Sequence, residues 1–128
     1  MIYLDTSVAL AHLLAEDREP PAELWEETLV SSRLLEYELW ARIHARDLGA
    51  SHGELVRELI GRVALLELVP PVLARALDPF PTSVRTLDAL HLATFAFLLA
   101  HGQTLRLATY DERLRRAGVA LRWQMYPL

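Results

Sequence analysis

Four acidic residues, far apart along the chain, stand where a carboxylate contrasts with apolar neighbours: Asp5, Glu38, Asp88 and Asp111. Asp5 ends the apolar run MIYLD, and Asp88 interrupts the helix-length stretch LDALHLATFAFLLA. Two carboxylates about 4 Å apart repel by roughly 4 kcal/mol at an effective dielectric constant of about 20, so a cluster must raise its pKa values or bind a cation. Oxygen ligands select the hard cations Mg²⁺ or Mn²⁺. Such a site suits hydrolysis of a phosphodiester bond, because the metal activates water and neutralises charge on the phosphate.

Each of these carboxylates also has a purely structural explanation. Asp5 and Asp111 are each placed to cap the N-terminus of a helix. Asp88 would be stabilised by the positive N-terminal end of its own helix. Glu38 is placed to pair with Arg42 at the favourable i,i+4 spacing. For any single residue the sequence leaves both explanations open, whereas the four together favour a shared site.

Neighbouring acids and one histidine are separated from this set by helical geometry. Glu38 lies beside the apolar stripe of its predicted helix, whereas Glu36 points to the far side, toward solvent. Glu112, next to Asp111, is likewise assigned to the surface. His91 lies one helical turn after Asp88. It is expected either to hydrogen-bond Asp88 or to be a core residue with its polar atoms satisfied.

The elements that must position these residues alternate between strand length and helix length. That alternation predicts an α/β sandwich with a short central parallel sheet flanked by helices. Strands are predicted at residues 2–4, 28–32, 65–69 and 105–109, with an edge strand at 119–123. Helices are predicted at 8–15, 34–48 with Gly49 as its stop, from a Ser51/Glu54 capping box onward, 72–77, 87–100 and 111–117. Ligands bind beyond the carboxyl ends of parallel strands, which is where Asp5 and Asp111 are expected.

Composition limits the classes of protein that this chain can be. With 128 residues, of which 52% are hydrophobic, it is expected to form a single domain over residues 1–128. The absence of cysteine excludes disulfides, thiolate nucleophiles and cysteine-built zinc sites. The 17 acids outnumber 13 bases, all of them arginine, but neutralising four carboxylates with metal would balance the charge and remove strong repulsion of RNA. Without a basic leader or an apolar run of about 20 residues, a cytoplasmic protein with no membrane partner is expected.

Four segments of the chain resemble, in order and spacing, the four signature blocks of the PIN-domain ribonucleases. They are YLDTSVAL, SSRLLEYELWAR, RTLDALHLATFAF and LATYDERLRRAG. The resemblance is strongest to the VapC toxins of toxin–antitoxin pairs, and it covers essentially the whole chain. It implies a three-layer PIN-like sandwich, and it places the four catalytic, metal-binding acids of the family on Asp5, Glu38, Asp88 and Asp111.

The same resemblance implies the activity and the partners. It implies a Mg²⁺- or Mn²⁺-dependent endoribonuclease, a homodimer, held inactive by a cognate VapB-type antitoxin whose peptide enters the active-site groove. It also implies that Thr6 and Thr109 line the site. Arg42 and Arg46 continue the helical stripe from Glu38, so they are expected either to contact phosphates of the RNA substrate or to form a solvated basic face.

Two other classes of function compete with this interpretation. One is a catalytically silent PIN-like module that only binds a partner, against which the presence of all four acids argues. The other is an aspartyl-phosphate protein, either a phosphatase or a receiver-like domain, phosphorylated on Asp5. Both of those resemblances require a lysine, and the phosphatase pattern also requires an aspartate where this chain has Ser7. The chain has no lysine at all, which also excludes a P-loop nucleotide site.

Overall fold

The computed structural model describes residues 1–128 and consists of a four-stranded parallel sheet with helices against both faces. The strands are β1 (Ile2–Leu4), β2 (Leu29–Ser32), β3 (Val63–Leu66) and β4 (Arg106–Ala108). The helices are α1 (Thr6–Leu13), α2 (Leu34–Ala45), α3 (Gly49–Gly61), α4 (Pro70–Leu77), α5 (Thr86–Ala100) and α6 (Glu112–Ala120), and a 3₁₀ helix covers Ala22–Glu26. No helix is both long and apolar enough to cross a membrane. The predicted α/β class with a parallel sheet is confirmed.

Strand β1 lies inside the sheet, whose order is β3-β2-β1-β4, and it divides the core into two layers. Ile2 and Leu4 pack with side chains of α1, α2 and α3. Tyr3, between them, packs on the opposite face with side chains of α5 and α6. Successive strand residues point to opposite faces, so three residues contact both helical layers. Because β1 and β4 are adjacent and parallel, their carboxyl ends open at the same edge of the sheet.

The third strand begins earlier than its apolar pattern predicts. β3 covers Val63–Leu66 rather than 65–69, because its four residues pair in register with the four residues of β2. After Leu66 the chain leaves the sheet, and Val69 becomes the extended N-cap of α4. Two prolines open that helix, where their missing N–H groups cost nothing.

The edge strand predicted at 119–123 is wrong. Helix α6 continues to Ala120, and the chain leaves it through Arg122, which has a left-handed φ of 60°. A single parallel bridge between Leu107 and Met125 is all that extends the sheet on this side. The apolar residues of this segment therefore belong to the end of a helix and to the chain that folds back after it.

The turn between α2 and α3 also differs from the prediction. α2 ends at Ala45, and the chain reverses at Asp47, whose φ of 54° is left-handed, a conformation that aspartate adopts more readily than most residues. Gly49 begins α3 instead of stopping α2. Ser51 lies inside α3, where its hydroxyl donates to the Leu48 carbonyl at 3.3 Å, so the predicted capping box is not formed.

Candidate active site

A cleft of about 400 Å³ opens at the carboxyl ends of β1 and β4, and all four predicted acids line it. These are Asp5, Glu38, Asp88 and Asp111. One more acid, Glu16, and two arginines also line the cleft. The cleft therefore contains five carboxylates and two guanidinium groups. It is strongly acidic, whereas the net charge of the whole chain is only -4.

Asp5 follows β1 directly and is nearly buried, with 5% of its surface exposed. Its Oδ2 atom accepts three hydrogen bonds, from the backbone N–H of Ser7 at 3.3 Å, the hydroxyl of Ser7 at 2.5 Å and the hydroxyl of Thr109 at 2.7 Å. The bond to the Ser7 N–H caps α1, so the structural explanation holds. The cap still leaves one oxygen of Asp5 available to a ligand, because Oδ1 accepts no hydrogen bond from the protein.

Glu38 lies on α2 and is tied to two other helices through one oxygen. Its Oε1 atom accepts the hydroxyl of Thr6 at 3.0 Å and Nε2 of His91 at 2.5 Å. The alternative ion pair with Arg42 is not formed, although Arg42 lines the same cleft. Glu36, two residues earlier on α2, instead pairs with Arg33 at 2.8 Å outside the cleft, as helical geometry predicts.

His91 connects the cleft to the core, and it does not hydrogen-bond Asp88. Only 3% of its surface is exposed; Nδ1 lies 2.8 Å from the hydroxyl of Tyr3 and Nε2 lies 2.5 Å from Glu38. Of the two predicted alternatives, the hydrogen bond to Asp88 is not formed, because Asp88 turns back to the N-terminus of the helix while His91 points inward. The other alternative, a buried histidine with its polar atoms satisfied, is what the structure shows. Burial alone would lower the pKa of His91, but the hydrogen bond to Glu38 and the charges of Asp5 and Glu38 raise it above its usual value.

Asp88 occupies the first turn of α5, where its Oδ2 atom accepts the backbone N–H of Arg85 at 3.1 Å. Partial burial raises the pKa of Asp88, and the charges of Asp111 and Asp5 raise it further, against the opposing effect of the Arg85 N–H. This direction is the one expected of a carboxylate that is partly buried beside other acids.

Asp111 caps α6 as the structural explanation proposes. Its Oδ1 atom accepts the backbone N–H groups of Arg113 at 2.8 Å and Leu114 at 3.1 Å. Its own N–H donates to the hydroxyl of Thr109 at 2.9 Å, which links it to the residue that also holds Asp5. Its neighbour Glu112 pairs with arginines of α6 and does not line the cleft.

All four carboxylates share one arrangement, in which one oxygen is anchored by protein donors and the other accepts no hydrogen bond. The anchored atoms are Oδ2 of Asp5, Oε1 of Glu38, Oδ2 of Asp88 and Oδ1 of Asp111. None of the four is paired with an arginine, whereas Glu27, Glu36, Glu67 and Glu112 elsewhere in the chain are. The free carboxylate oxygens are ligands that suit a hard cation. However, no three Asp, Glu or His side chains are already close enough together to hold a metal ion.

The other predicted residues are divided by the structure. Thr6 and Thr109 lie in contact with the acids, the first donating to Glu38 and the second to Asp5. Arg42 lines the cleft, whereas Arg46 is exposed at the C-terminal end of α2 and is not part of its wall.

Sequence reasoning missed three participants, Tyr3, Ser7 and Arg18. The hydroxyl of Ser7 donates to Asp5 and accepts the backbone N–H of Tyr110 at 2.9 Å, so it joins the first turn of α1 to the chain after β4. Arg18 lines the cleft with its guanidinium 5.5 Å from the centre of the Tyr110 ring. Ser7 directly follows the DT pair of the first motif, which was the available signal; Arg18 lies in a loop between motifs, where spacing gives none.

Comparison with known proteins places this cleft in a family context. Residues 2–120 match the family model of the PIN domain. Ribonuclease VapC46 of Mycobacterium tuberculosis (strain ATCC 25618 / H37Rv) is 37% identical over 127 residues, which cover 94% of this chain and 92% of that protein. Ribonuclease VapC47 of Mycobacterium tuberculosis (strain CDC 1551 / Oshkosh) is 32% identical over 121 residues, covering 89% of this chain and 87% of that protein.

Proposed function

The chain belongs to the PIN domain family, among the VapC ribonucleases, and from that premise we propose that it hydrolyses RNA phosphodiester bonds in the acidic cleft with Mg²⁺ or Mn²⁺. Asp5, Glu38, Asp88 and Asp111 are the residues proposed to hold the cation. Family membership supports the class of reaction, and the geometry of the cleft supports the assignment of residues and the need for metal.

The observation that carries the proposal is the set of four carboxylates that each keep one oxygen free in a single cleft. Five acids against two arginines would repel the phosphates of RNA. A divalent cation removes that repulsion and at the same time lowers the cost of holding the acids together. The raised pKa of Asp88 agrees with the proposal, because burial and the neighbouring acids disfavour its charged form and a bound cation would offset that cost.

Mg²⁺ fits this donor set without a closed cage of side chains. It commonly keeps several waters and is held by one or two carboxylates together with substrate phosphate. That preference agrees with the absence of any three ready-made ligands. When bound, the metal would activate a water and neutralise charge on the scissile phosphate.

The chain's own residues supply orientation. Thr109 and Ser7 hold one oxygen of Asp5, so the other is directed by fixed hydrogen bonds rather than by a mobile side chain. Arg42 and Arg18, which line the cleft, are the side chains placed to contact phosphates that flank the bond to be cut. Arg46 lies too far along α2 to share that role in the cleft.

The test is cleavage of RNA by the purified protein, freed of any antitoxin, with and without Mg²⁺ or Mn²⁺. We expect cleavage only with the metal, and we expect Asp5→Asn to abolish it while the protein remains folded. Glu112→Gln is the matched control. Glu112 directly follows Asp111 in the sequence, but it lies on the surface, where it pairs with Arg116 at 3.4 Å. Cleavage in excess chelator, or full activity of Asp5→Asn, would contradict the proposal.

We further propose that the protein is the toxin of a toxin–antitoxin pair, acts in the cytoplasm as a homodimer, and is inhibited by a VapB-type antitoxin. The two ribonuclease relatives and the motif resemblance support this assignment. Expression of the chain alone should arrest growth, and coexpression of its cognate small partner should restore it. The Asp5→Asn variant should be harmless in the same assay, which separates nuclease toxicity from simple overexpression.

The silent partner-binding module finds less support. A surface that only binds a partner has no need of four carboxylates that are anchored yet unpaired with arginine. The aspartyl-phosphate alternative lacks its lysine.

A further inference from the structure

A line of hydrogen bonds runs from the centre of the core to the cleft through Tyr3, His91 and Glu38. Tyr3 is fully buried on β1, and its hydroxyl lies 2.8 Å from Nδ1 of His91 on α5. The other ring nitrogen of His91 lies 2.5 Å from Oε1 of Glu38 on α2. The line thus joins the sheet to both helical layers and ends on one of the proposed metal ligands.

The chemistry of the groups fixes the direction of the bond to Glu38. A carboxylate can only accept, so Nε2 of His91 must carry a hydrogen and donate it to Glu38. The Tyr3 hydroxyl, which also lies beside the hydroxyls of Ser31 and Thr94, pairs with Nδ1 of the same ring, as donor to a neutral imidazole or as acceptor from a charged one. In either form both ring nitrogens have a partner, and the ring is held at both ends.

The consequence for Glu38 is a fixed orientation. Its Oε1 atom is occupied by His91 and by the hydroxyl of Thr6 at 3.0 Å, so Oε2 is the oxygen left for the cleft. Partners of this kind, which bind the ligands and not the metal, commonly set both ligand orientation and metal affinity.

We propose that Tyr3 and His91 are positioning residues, which hold the Glu38 carboxylate so that its free oxygen meets the bound cation. This inference rests on the proposed function, since it needs a cation in the cleft. His91 lines the cleft beside Glu38, but in this proposal both residues act through Glu38 and do not bind the cation themselves. It assigns a role to two buried polar groups that core packing alone does not require, because an apolar pair would fill the same space.

That apolar pair provides the decisive variant. Tyr3→Phe with His91→Leu removes both partners of the buried hydrogen bond, a change that is commonly close to neutral for stability when no orphan polar group is left behind. If the line serves only the core, this double variant should fold and bind metal as the parent does. If it positions Glu38, the double variant should fold but bind metal more weakly.

The measurement is Mn²⁺ binding by calorimetry in the absence of RNA, together with urea unfolding of each variant. We expect affinity for Mn²⁺ to fall about tenfold or more in the double variant, and His91→Gln to recover part of the loss because its amide can still donate to Glu38. Ser51→Ala is the control. It removes a hydrogen bond of 3.3 Å from a hydroxyl on α3 to the Leu48 carbonyl, away from the acids and from Tyr3, and should leave Mn²⁺ affinity unchanged.

Three outcomes separate this inference from the function on which it rests. Equal Mn²⁺ affinity in the parent and in the folded double variant would overturn the positioning role and leave the nuclease proposal intact. If the double variant does not fold, Tyr3→Phe alone decides, since its ring keeps the edge contact with Phe95, and an unchanged affinity overturns the inference. If the parent protein binds no Mn²⁺, or if Asp5→Asn binds Mn²⁺ as tightly as the parent does, both the positioning role and the proposed metal site are overturned.

Discussion

The hydroxyl of Thr109 donates to Oδ2 of Asp5 at 2.7 Å across 104 residues of sequence. The bond joins the carboxyl ends of β1 and β4, the two strands whose adjacency creates the cleft. The same hydroxyl oxygen accepts the N–H of Asp111 at 2.9 Å. One side chain therefore fixes the separation of two proposed ligands.

Thr109→Val keeps the shape of the side chain and removes both of these bonds. Because Asp5 and the Asp111 N–H are left without that partner, we expect a loss of about 1–3 kcal/mol in the free energy of unfolding. Affinity for Mn²⁺ should fall by about 10- to 100-fold. Urea unfolding and a Mn²⁺ titration measure the two effects, and Thr109→Ser, which restores a hydroxyl, should recover both. A Val variant with parental Mn²⁺ affinity would show that Asp5 needs no such support.

Asp88→Asn should be inactive in RNA cleavage yet at least as stable as the parent without metal. The folded protein raises the pKa of Asp88, through burial first and then through the charges of Asp111 and Asp5. The folded state therefore binds the proton more tightly than the unfolded state, and stability is lost as pH rises through the folded pKa. The stability advantage of the Asn variant should be largest at neutral pH and should shrink as pH falls below that pKa.

The Asp88→Asn variant also tests whether Asp88 helps to bind the cation. Mg²⁺ that binds the folded state stabilises it by mass action, so the thermal midpoint of the parent should rise with added Mg²⁺. Asp88→Asn should show a smaller rise or none. Equal rises in both proteins would mean that Mg²⁺ binds elsewhere, and a less stable Asn variant at neutral pH would contradict the charge cost assigned to Asp88.

The sequence predicts the convergence of the four acids but not what holds them. Asp5 and Asp111 follow parallel strands, whose carboxyl ends share one edge by geometry alone. By contrast, the contact of His91 with Glu38 and Tyr3 depends on how α5 crosses the sheet, which helical periodicity does not contain. Periodicity therefore predicts a buried histidine on α5, but it does not identify the partners of that histidine.

The errors in the fold have a similar origin. The apolar run at 65–69 is long enough for a strand, but pairing with the four residues of β2 decides where β3 lies. At 119–123 the local pattern fits strand and helix equally well, and the hydrogen bonds of α6 continue through Ala120. In both cases the tertiary partner, rather than the segment itself, selects the structure.

Arg42 and Arg46 were predicted together, and the structure now distinguishes them. Arg42 lines the cleft, whereas Arg46 is exposed at the end of α2. Arg42→Ala should raise KM for RNA and reduce the slope of log affinity against log salt by about 0.7, the value for one phosphate contact on a single strand. Arg46→Ala should change neither quantity appreciably. Equal effects of the two substitutions would indicate a general basic face on α2 rather than a contact in the cleft.

Glu38 and Glu36 offer the sharpest internal comparison, because they lie two residues apart on α2 and point to different surroundings. Glu38→Gln keeps the size of the side chain but removes the charge proposed to hold the cation, so RNA cleavage and Mn²⁺ affinity should both fall by about 10-fold or more. Glu36→Gln removes only a partly exposed pair with Arg33 outside the cleft, a kind of interaction worth about 0–1 kcal/mol near the surface.

Cleavage rate, Mn²⁺ affinity and urea midpoint should be measured for both variants under one set of conditions. The Glu36 variant should match the parent in the first two and differ little in the third. Should Glu38→Gln cleave RNA as fast as Glu36→Gln, Glu38 would be a structural acceptor for His91 and Thr6, and the cation would rest on the three aspartates alone.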